Sequence, residues 1–155
     1  MNPKLTIHRP LAVKALIPVQ LVLSLLAIPS GALFLFSPGG EAIGAQTILP
    51  QLTQSVPFIH DFTVVGIFLI VVYGLLPLLF SYGLWFQKSW AWISTVLLGV
   101  AEIDWIMAEV VIFYDLGFFI FYPIIAGMGT ITVVLCCLPS SRRFYMGLEK
   151  VRFSS

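Results

Sequence analysis

Long apolar stretches, separated by shorter polar segments, run through most of this sequence. Four of them reach the roughly 20 residues that a helix needs to cross the hydrocarbon core of a bilayer. They cover about residues 15–36, 62–86, 89–116 and 117–138. We therefore expect an all-α integral membrane protein whose single domain, residues 1–155, is an antiparallel four-helix transmembrane bundle.

The segments between the spans predict one real loop and two tight turns. Residues 37–61 form the long loop, for which we favour simple packing, with a short lid helix as the alternative. Gln87–Lys88 and Asp115–Gly117 are the expected turns. The tail, residues 139–155, is expected either to form an amphipathic turn on the inner leaflet or to fray in solvent.

Basic residues set the expected orientation. All eight Lys and Arg residues fall on one side of a four-span arrangement, and neither the loop 37–61 nor the turn 115–117 contains one. They are Lys4, Arg9, Lys14, Lys88, Arg142, Arg143, Lys150 and Arg152. This positive-inside pattern predicts a multi-pass protein of the cell membrane with both termini cytoplasmic and the long loop outside.

Composition narrows the functional classes. Hydrophobic residues make up 59% of the 155 residues and charged residues 10%, against about 25% charged residues in ordinary soluble domains. The mean hydropathy is +1.03, and the formal net charge of +1 creates no field that would attract a polyanion. These values exclude a soluble enzyme, a disordered tail and a nucleic-acid binder, and they make the lipid bilayer the first expected partner.

The third span carries the most informative residues, three acids within an apolar helix. Glu102 and Asp104 are expected near the middle of the membrane, Glu109 lies closer to the outside, and Asp115 lies at the outer end. Each central acid costs roughly 3 kcal/mol to insert. The acidic faces are therefore expected to point into the bundle, into a water-filled cavity or toward a partner. We take these four acids and Trp105 as candidate binding or proton-relay residues.

Helical geometry divides the acids between two faces, because each residue advances about 100°. Glu102 and Glu109 share one face, and Asp104 and Asp115 share another. No basic residue lies inside a span except Lys14 at the inner edge, so the acids are expected to be protonated at rest or to bind a cation. The structural alternative is a neutral acid that donates a hydrogen bond to a backbone carbonyl or to another side chain. The side chains considered are Gln20, Ser24, Tyr73 and Tyr82.

A second, weaker site is predicted at the outer surface. His60, Asp61 and Glu41 would together offer a His and carboxylate set for a metal ion. The alternative for Asp61 is a capping role at the start of the second span, where an acid also suits the helix dipole. The sequence contains no catalytic or nucleotide-binding motif, and we expect no cofactor.

In two short motifs the chain resembles a loose group of small four-span membrane proteins of bacteria and archaea. The motifs are GLW-x4-WA, from Gly83 to Ala91, and WI-x-x-E, from Trp105 to Glu109. The similarity covers roughly residues 61–138. It implies a four-span fold and a role for Glu109, and it supplies no activity.

Three functional classes remain open from the sequence. The favoured one is a binding or accessory membrane protein, a subunit or small-molecule or lipid binder, with an acidic polar core in the third span. The alternative is a proton- or cation-coupled small-molecule transporter that uses Glu102 and Glu109. The least favoured is an enzyme that acts on a lipid or a quinone. A homo-oligomer or a larger membrane complex is expected in each case.

Overall fold

The computed structural model describes residues 9–112 and 121–153, and its regular elements are all helices. A π-helix, Leu69–Leu75, joins α3 to α4, and a short 3₁₀-helix, Glu41–Ile43, precedes α2. The α-helices are α1 (Leu11–Phe36), α2 (Leu49–Ser55), α3 (Thr63–Phe68), α4 (Leu76–Trp85), α5 (Ser89–Ile112), α6 (Phe121–Cys137) and α7 (Pro139–Phe153).

Among the described residues, three helical segments are long and apolar enough to cross a membrane. They are α1, the continuous segment Thr63–Trp85 (here called span two) and Ser89–Val111 of α5. A fourth crossing exists if α6 and α7, which meet at an angle of 59°, are taken together as one bent span. By length and composition, the described helices therefore fit a helical membrane bundle with three or four candidate spans. The expected turn at Asp115–Gly117 lies outside the described residues.

The outward surface of the bundle also fits a lipid environment. Its large apolar side chains are widely exposed, as at Leu25 (71%), Leu97 (64%) and Val111 (76%). A water-soluble monomer rarely exposes so extensive an apolar surface. These side chains therefore lie where acyl chains would contact them.

The four long segments form a ring. Helix α1 packs against span two and α6, and α5 packs against α4 and α6. Neighbours in the ring are antiparallel. In one pair Gly31 meets Gly66 while Ser24 meets Gly74, and in another Gly99 meets Gly129 while Trp92 meets Cys136. Helices α1 and α5 consequently lie diagonally across the bundle.

Two pairs of glycines bring helix backbones into direct contact. A Cβ atom on Gly31 would lie 2.7 Å from the Gly66 carbonyl oxygen, and one on Gly66 would lie 2.8 Å from the Gly31 carbonyl oxygen. A Cβ atom on Gly129 would lie 3.0 Å from the Gly99 carbonyl oxygen. Between membrane helices such close approach replaces the missing hydrophobic driving force with van der Waals contact.

The π-helix in span two precedes Pro77, which lies in the first turn of α4. A proline has no N–H, and in a regular α-helix its ring clashes with the carbonyl four residues earlier, here that of Tyr73. The wider π turn, in which the Leu76 N–H bonds the Val71 carbonyl, relieves this conflict. The π turn therefore accommodates Pro77 within span two.

Two small clusters close the ends of the bundle. At the end that carries the long loop (the loop end), Leu52 of α2 packs with Phe34, Ala45 and Phe62. The long loop thus contains the short helix that was the alternative for it. At the opposite end (the tail end), Tyr145 of α7 is 1% exposed. Helix α7 is therefore anchored on the bundle rather than frayed.

The tail end is also fastened through the start of α1. Arg9 donates a hydrogen bond to the Trp85 carbonyl, and its guanidinium carbon lies 5.2 Å from the centroid of the Trp85 ring. The Tyr145 hydroxyl donates to the Leu84 carbonyl at 3.4 Å. The start of α1, the end of span two and α7 therefore meet at one place.

The contact at Gly129 generates a paired test. We expect Gly129→Ala to lower the free energy of unfolding by about 1–3 kcal/mol, because the new methyl group would crowd the Glu102 Cβ and the Gly99 carbonyl oxygen of α5. Gly127→Ala, two residues away, has nothing within 4 Å of the new Cβ and should instead gain up to about 1 kcal/mol in helix propensity. Unfolding followed by circular dichroism in detergent micelles measures both. Equal effects of the two changes would contradict the close crossing.

Candidate functional site

Glu102 is fully buried in the interior of the bundle. Its side chain is 0% exposed, and it lies against Gly129 of α6. A Cβ atom on Gly129 would come within 2.9 Å of the Glu102 Cβ and 3.2 Å of its Oε2. The missing side chain at Gly129 therefore provides the room that the carboxyl group occupies.

The carboxyl group of Glu102 has no hydrogen-bond partner. Both oxygens are buried, and neither is bonded to any group in the described chain. Lys14, Lys88, Arg142 and Arg143 are exposed near the tail end, and none of them bonds to Glu102. A sealed, unpaired carboxylate is strongly unfavourable in an apolar surrounding. The Glu102 carboxyl group is therefore either neutral or suited to bind a positively charged or hydrogen-bond-donating species.

Gln20 of α1 adds a third unpaired acceptor. Its amide nitrogen donates to the Thr132 hydroxyl at 3.2 Å, while its Oε1 is buried and unbonded. Thr132 and Gly129 lie three residues apart on α6, a rise of about 4.5 Å. Gln20 and Glu102 therefore contact adjacent turns of the same helix. We call Gln20, Glu102 and Thr132 the buried carboxyl site.

The hydrogen-bond donors next to this site are already engaged elsewhere. The Ser24 hydroxyl lies 2.8 Å from the Gly74 carbonyl oxygen, to which it donates. The Tyr73 hydroxyl donates to the Ala101 carbonyl at 3.0 Å, and Tyr82 is 62% exposed. Because neither Glu102 oxygen lies within hydrogen-bond distance of these groups, the hydrogen bonds from Glu102 that were considered as the structural alternative are not formed.

Glu109 is in a different environment from Glu102. It is half-buried, and its Oε1 accepts a hydrogen bond from the Trp105 indole N–H at 2.7 Å. The Trp105 ring stacks on Phe68 with 4.6 Å between centroids and meets the edge of Tyr73 at 6.3 Å. Trp105 thus positions Glu109 beside an aromatic cluster that joins α5 to span two.

The other two acids of the third span do not join the buried carboxyl site. Asp104 is exposed on the outside of the bundle. Within the described chain, no hydrogen bond or ion pair reaches it. Asp115 lies outside the described residues, so its shared face with Asp104 stays a prediction. The inward acidic face of α5 is the one that carries Glu102.

The weak metal candidates at the loop end serve local structure. Glu41 accepts a hydrogen bond from the Ser37 hydroxyl at 2.6 Å, and this bond lowers its pKa. Asp61 accepts one from the Thr63 backbone N–H at 2.8 Å at the start of α3, and this bond lowers the pKa of Asp61. His60 is exposed. Over residues 9–112 and 121–153, no three His, Cys, Asp or Glu side chains are grouped to hold a metal ion.

Some parts of the site were not predicted. Thr132 and Gly129 were not expected as site residues, and Gln20 was considered only as a hydrogen-bond partner. The one residue that could have indicated this site is Gln20, because an amide inside an apolar span needs a hydrogen-bond partner. Nothing in the sequence pairs that amide with a particular residue of α6.

Comparison with known proteins finds no relative of this chain. Neither the protein-family models nor the curated proteins nor the solved structures contain a match to the chain. The function is therefore argued from the chemistry of the site.

The unpaired carboxyl predicts an unusual stability effect. We expect Glu102→Met, which keeps the length of the side chain, to raise the free energy of unfolding by about 1–3 kcal/mol, because it removes buried acceptors that lack partners. Glu109→Met should lower it by about 1 kcal/mol, because the Trp105 N–H loses its acceptor. Reversible unfolding of both variants in micelles measures the difference. A loss of stability in Glu102→Met would show that its carboxyl is already satisfied.

Proposed function

We propose that this chain is a membrane-embedded binding protein of non-enzymatic type, whose ligand is held by Glu102 inside the helical bundle. The observation that carries this proposal is the pair of fully buried Glu102 oxygens without a partner. Buried polar atoms in native proteins are nearly always bonded, and an exception calls for an ion, a water or a functional explanation. The third unpaired acceptor, Gln20 Oε1, supports the same interpretation.

The site is suited to a small positive species. Its unpaired groups are all oxygen acceptors, which hard cations prefer. It holds one carboxyl group and no exposed surface, so a proton or a monovalent cation would match its charge. The ligand would replace the missing donor, and the Glu102 carboxylate would supply the matching charge.

A second candidate function is proton- or cation-coupled transport, and a specific observation favours it. The π-helix of span two lies beside the site, and its Gly74 carbonyl is bonded by Ser24, four residues from Gln20. Single π turns within helices are frequent at functional sites. A change in this irregular segment would move α1 and with it Gln20. Transport would then use the same carboxyl as binding.

Binding is tested on the purified protein in micelles with proton, Li⁺, Na⁺ and K⁺ as probes. We expect one of the alkali cations to raise the unfolding free energy by about 2.7 kcal/mol at a concentration one hundred times its dissociation constant. We also expect the infrared carbonyl band of a protonated acid to disappear as that cation binds. Glu102→Gln should lack both effects, because it removes the charge.

The matched control is Glu109→Gln, whose acid is partnered and half-buried, and which should keep both effects. Absence of any cation effect, together with an infrared spectrum unchanged by Glu102→Gln, would contradict the proposal. Transport is separated from binding by uptake into vesicles that carry a pH gradient. It requires uptake by the wild type and none by Glu102→Gln.

For orientation, we propose that both termini and the tail end are cytoplasmic. The described basic residues, Arg9, Lys14, Lys88, Arg142 and Arg143, gather at that end, in agreement with the positive-inside rule. The loop end would then be outside. It carries Glu41 and Asp61 and, within residues 37–61, no Lys or Arg.

Orientation is tested with single cysteines in a chain whose Cys136 and Cys137 are replaced by Ala. A membrane-impermeant maleimide added to intact cells should label Ser55→Cys, which is exposed at the loop end, and should leave Lys88→Cys unlabelled. Both should react after the cells are opened. Labelling of Lys88→Cys in intact cells would reverse the proposed orientation.

A further inference from the structure

Asp104 lies in the middle of an otherwise apolar outward face of α5. It lies two positions after Glu102, which places the two side chains about 200° apart around the helix. All members of this face are exposed, and they follow one another at intervals of four and three residues. They are Ile93, Leu97, Val100, Asp104, Met107 and Val111. We call this set the α5 seam.

The spacing of the seam alone does not identify a contact surface. The outward face of α1 has similar spacing at Val22, Leu26 and Leu33, as any lipid-facing helix would. The α5 seam differs because a carboxyl group stands at its centre. Acids inside membrane spans nearly always face protein or water, because exposure to acyl chains is costly.

None of the described residues satisfies Asp104. Among the described residues, no basic side chain lies along the membrane-facing length of α5, and none bonds Asp104. No covering group is therefore found in the described part of the chain, and a neighbouring molecule in the membrane is the source that we consider. Two carboxyl groups can bond to each other when a proton lies between them, because one then donates and the other accepts. The Asp104 side chains of two copies at the same depth would therefore cover each other.

We propose that the α5 seam is the contact between two copies of this chain. Copies inserted in one membrane share one orientation, so α5 would meet its counterpart in parallel around a two-fold axis. In a parallel pair with a seven-residue repeat, each position faces the same position of the partner. Asp104 would face Asp104 of the second copy, and the two acids would exchange hydrogen bonds. A single polar residue in such a repeat sets the register of the pair.

This inference does not depend on the proposed function, because the seam and the buried carboxyl site lie on opposite faces of α5. Wild-type dimerisation in mild detergent would support it without any cation binding. Cation binding by a monomer would leave the proposed function intact and overturn the seam.

The test compares two substitutions at Asp104 by analytical ultracentrifugation of the full chain in mild detergent. We expect a dimer for the wild type. Asp104→Asn should keep it, because a carboxamide also has a donor and an acceptor. Asp104→Leu should weaken dimerisation about tenfold or more, as loss of an interhelical hydrogen bond does in membrane peptides. Circular dichroism checks that both variants are folded.

Cross-linking tests the geometry of the seam within membranes. In the chain without Cys136 and Cys137, Val100→Cys should form a disulfide-linked dimer when a copper–phenanthroline oxidant removes the two thiol electrons and protons. Leu26→Cys on the outward face of α1 should not. Three results would each overturn the proposal. The wild type could be a monomer, or Asp104→Leu could dimerise as well as the wild type. A different protein could also copurify in a fixed ratio with the wild type and be absent from Asp104→Leu.

Discussion

In an apolar medium a polar group must find its partner within protein, and this constraint governs the whole molecule. It explains why the described regular elements are all helices, in which backbone groups bond within the same segment. It also explains where the helices cross. Gly31 with Gly66, and Gly99 with Gly129, bring backbones within van der Waals contact, so that close packing can replace a hydrophobic force that lipid does not supply. The few polar side chains are then conspicuous, because each has to be covered.

The acids of α5 show three outcomes of that constraint on one helix. Glu109 is partnered by the indole of Trp105, Glu102 is sealed without a partner, and Asp104 is turned outward without one. The first is a satisfied structural group that fixes an aromatic cluster. The other two have no hydrogen-bond partner among the described residues, one in the interior of the bundle and one on its outer surface. A helix only 24 residues long thereby carries two carboxyl groups without hydrogen-bond partners, on opposite faces.

Much of the architecture was open to prediction, because apolar length and helical period are properties of consecutive residues. The long apolar helices and the two-face division of the acids followed from that arithmetic. The sequence did not predict which face of α5 points inward, because a helical period gives the angles between residues but not the orientation of the helix relative to its neighbours. Glu102 faces inward because Gly129 leaves space for it, and that pairing joins distant parts of the chain. The π-helix likewise depends on local geometry around Pro77 that an apolar run does not reveal, and the motif resemblance stays untested.

The π-helix has a mechanical meaning beyond its hydrogen bonds. A π turn accommodates one residue more than an α-helix does over nearly the same axial length, so Leu69–Leu75 holds a surplus residue in span two. If that surplus moved along the span by one turn, the residues it passed would rotate about 100° around the axis. The ends of the span, fastened at Phe62 and Trp85, would stay in place. The middle of span two could in this way turn a different face toward its neighbours while both ends of the helix stay in place.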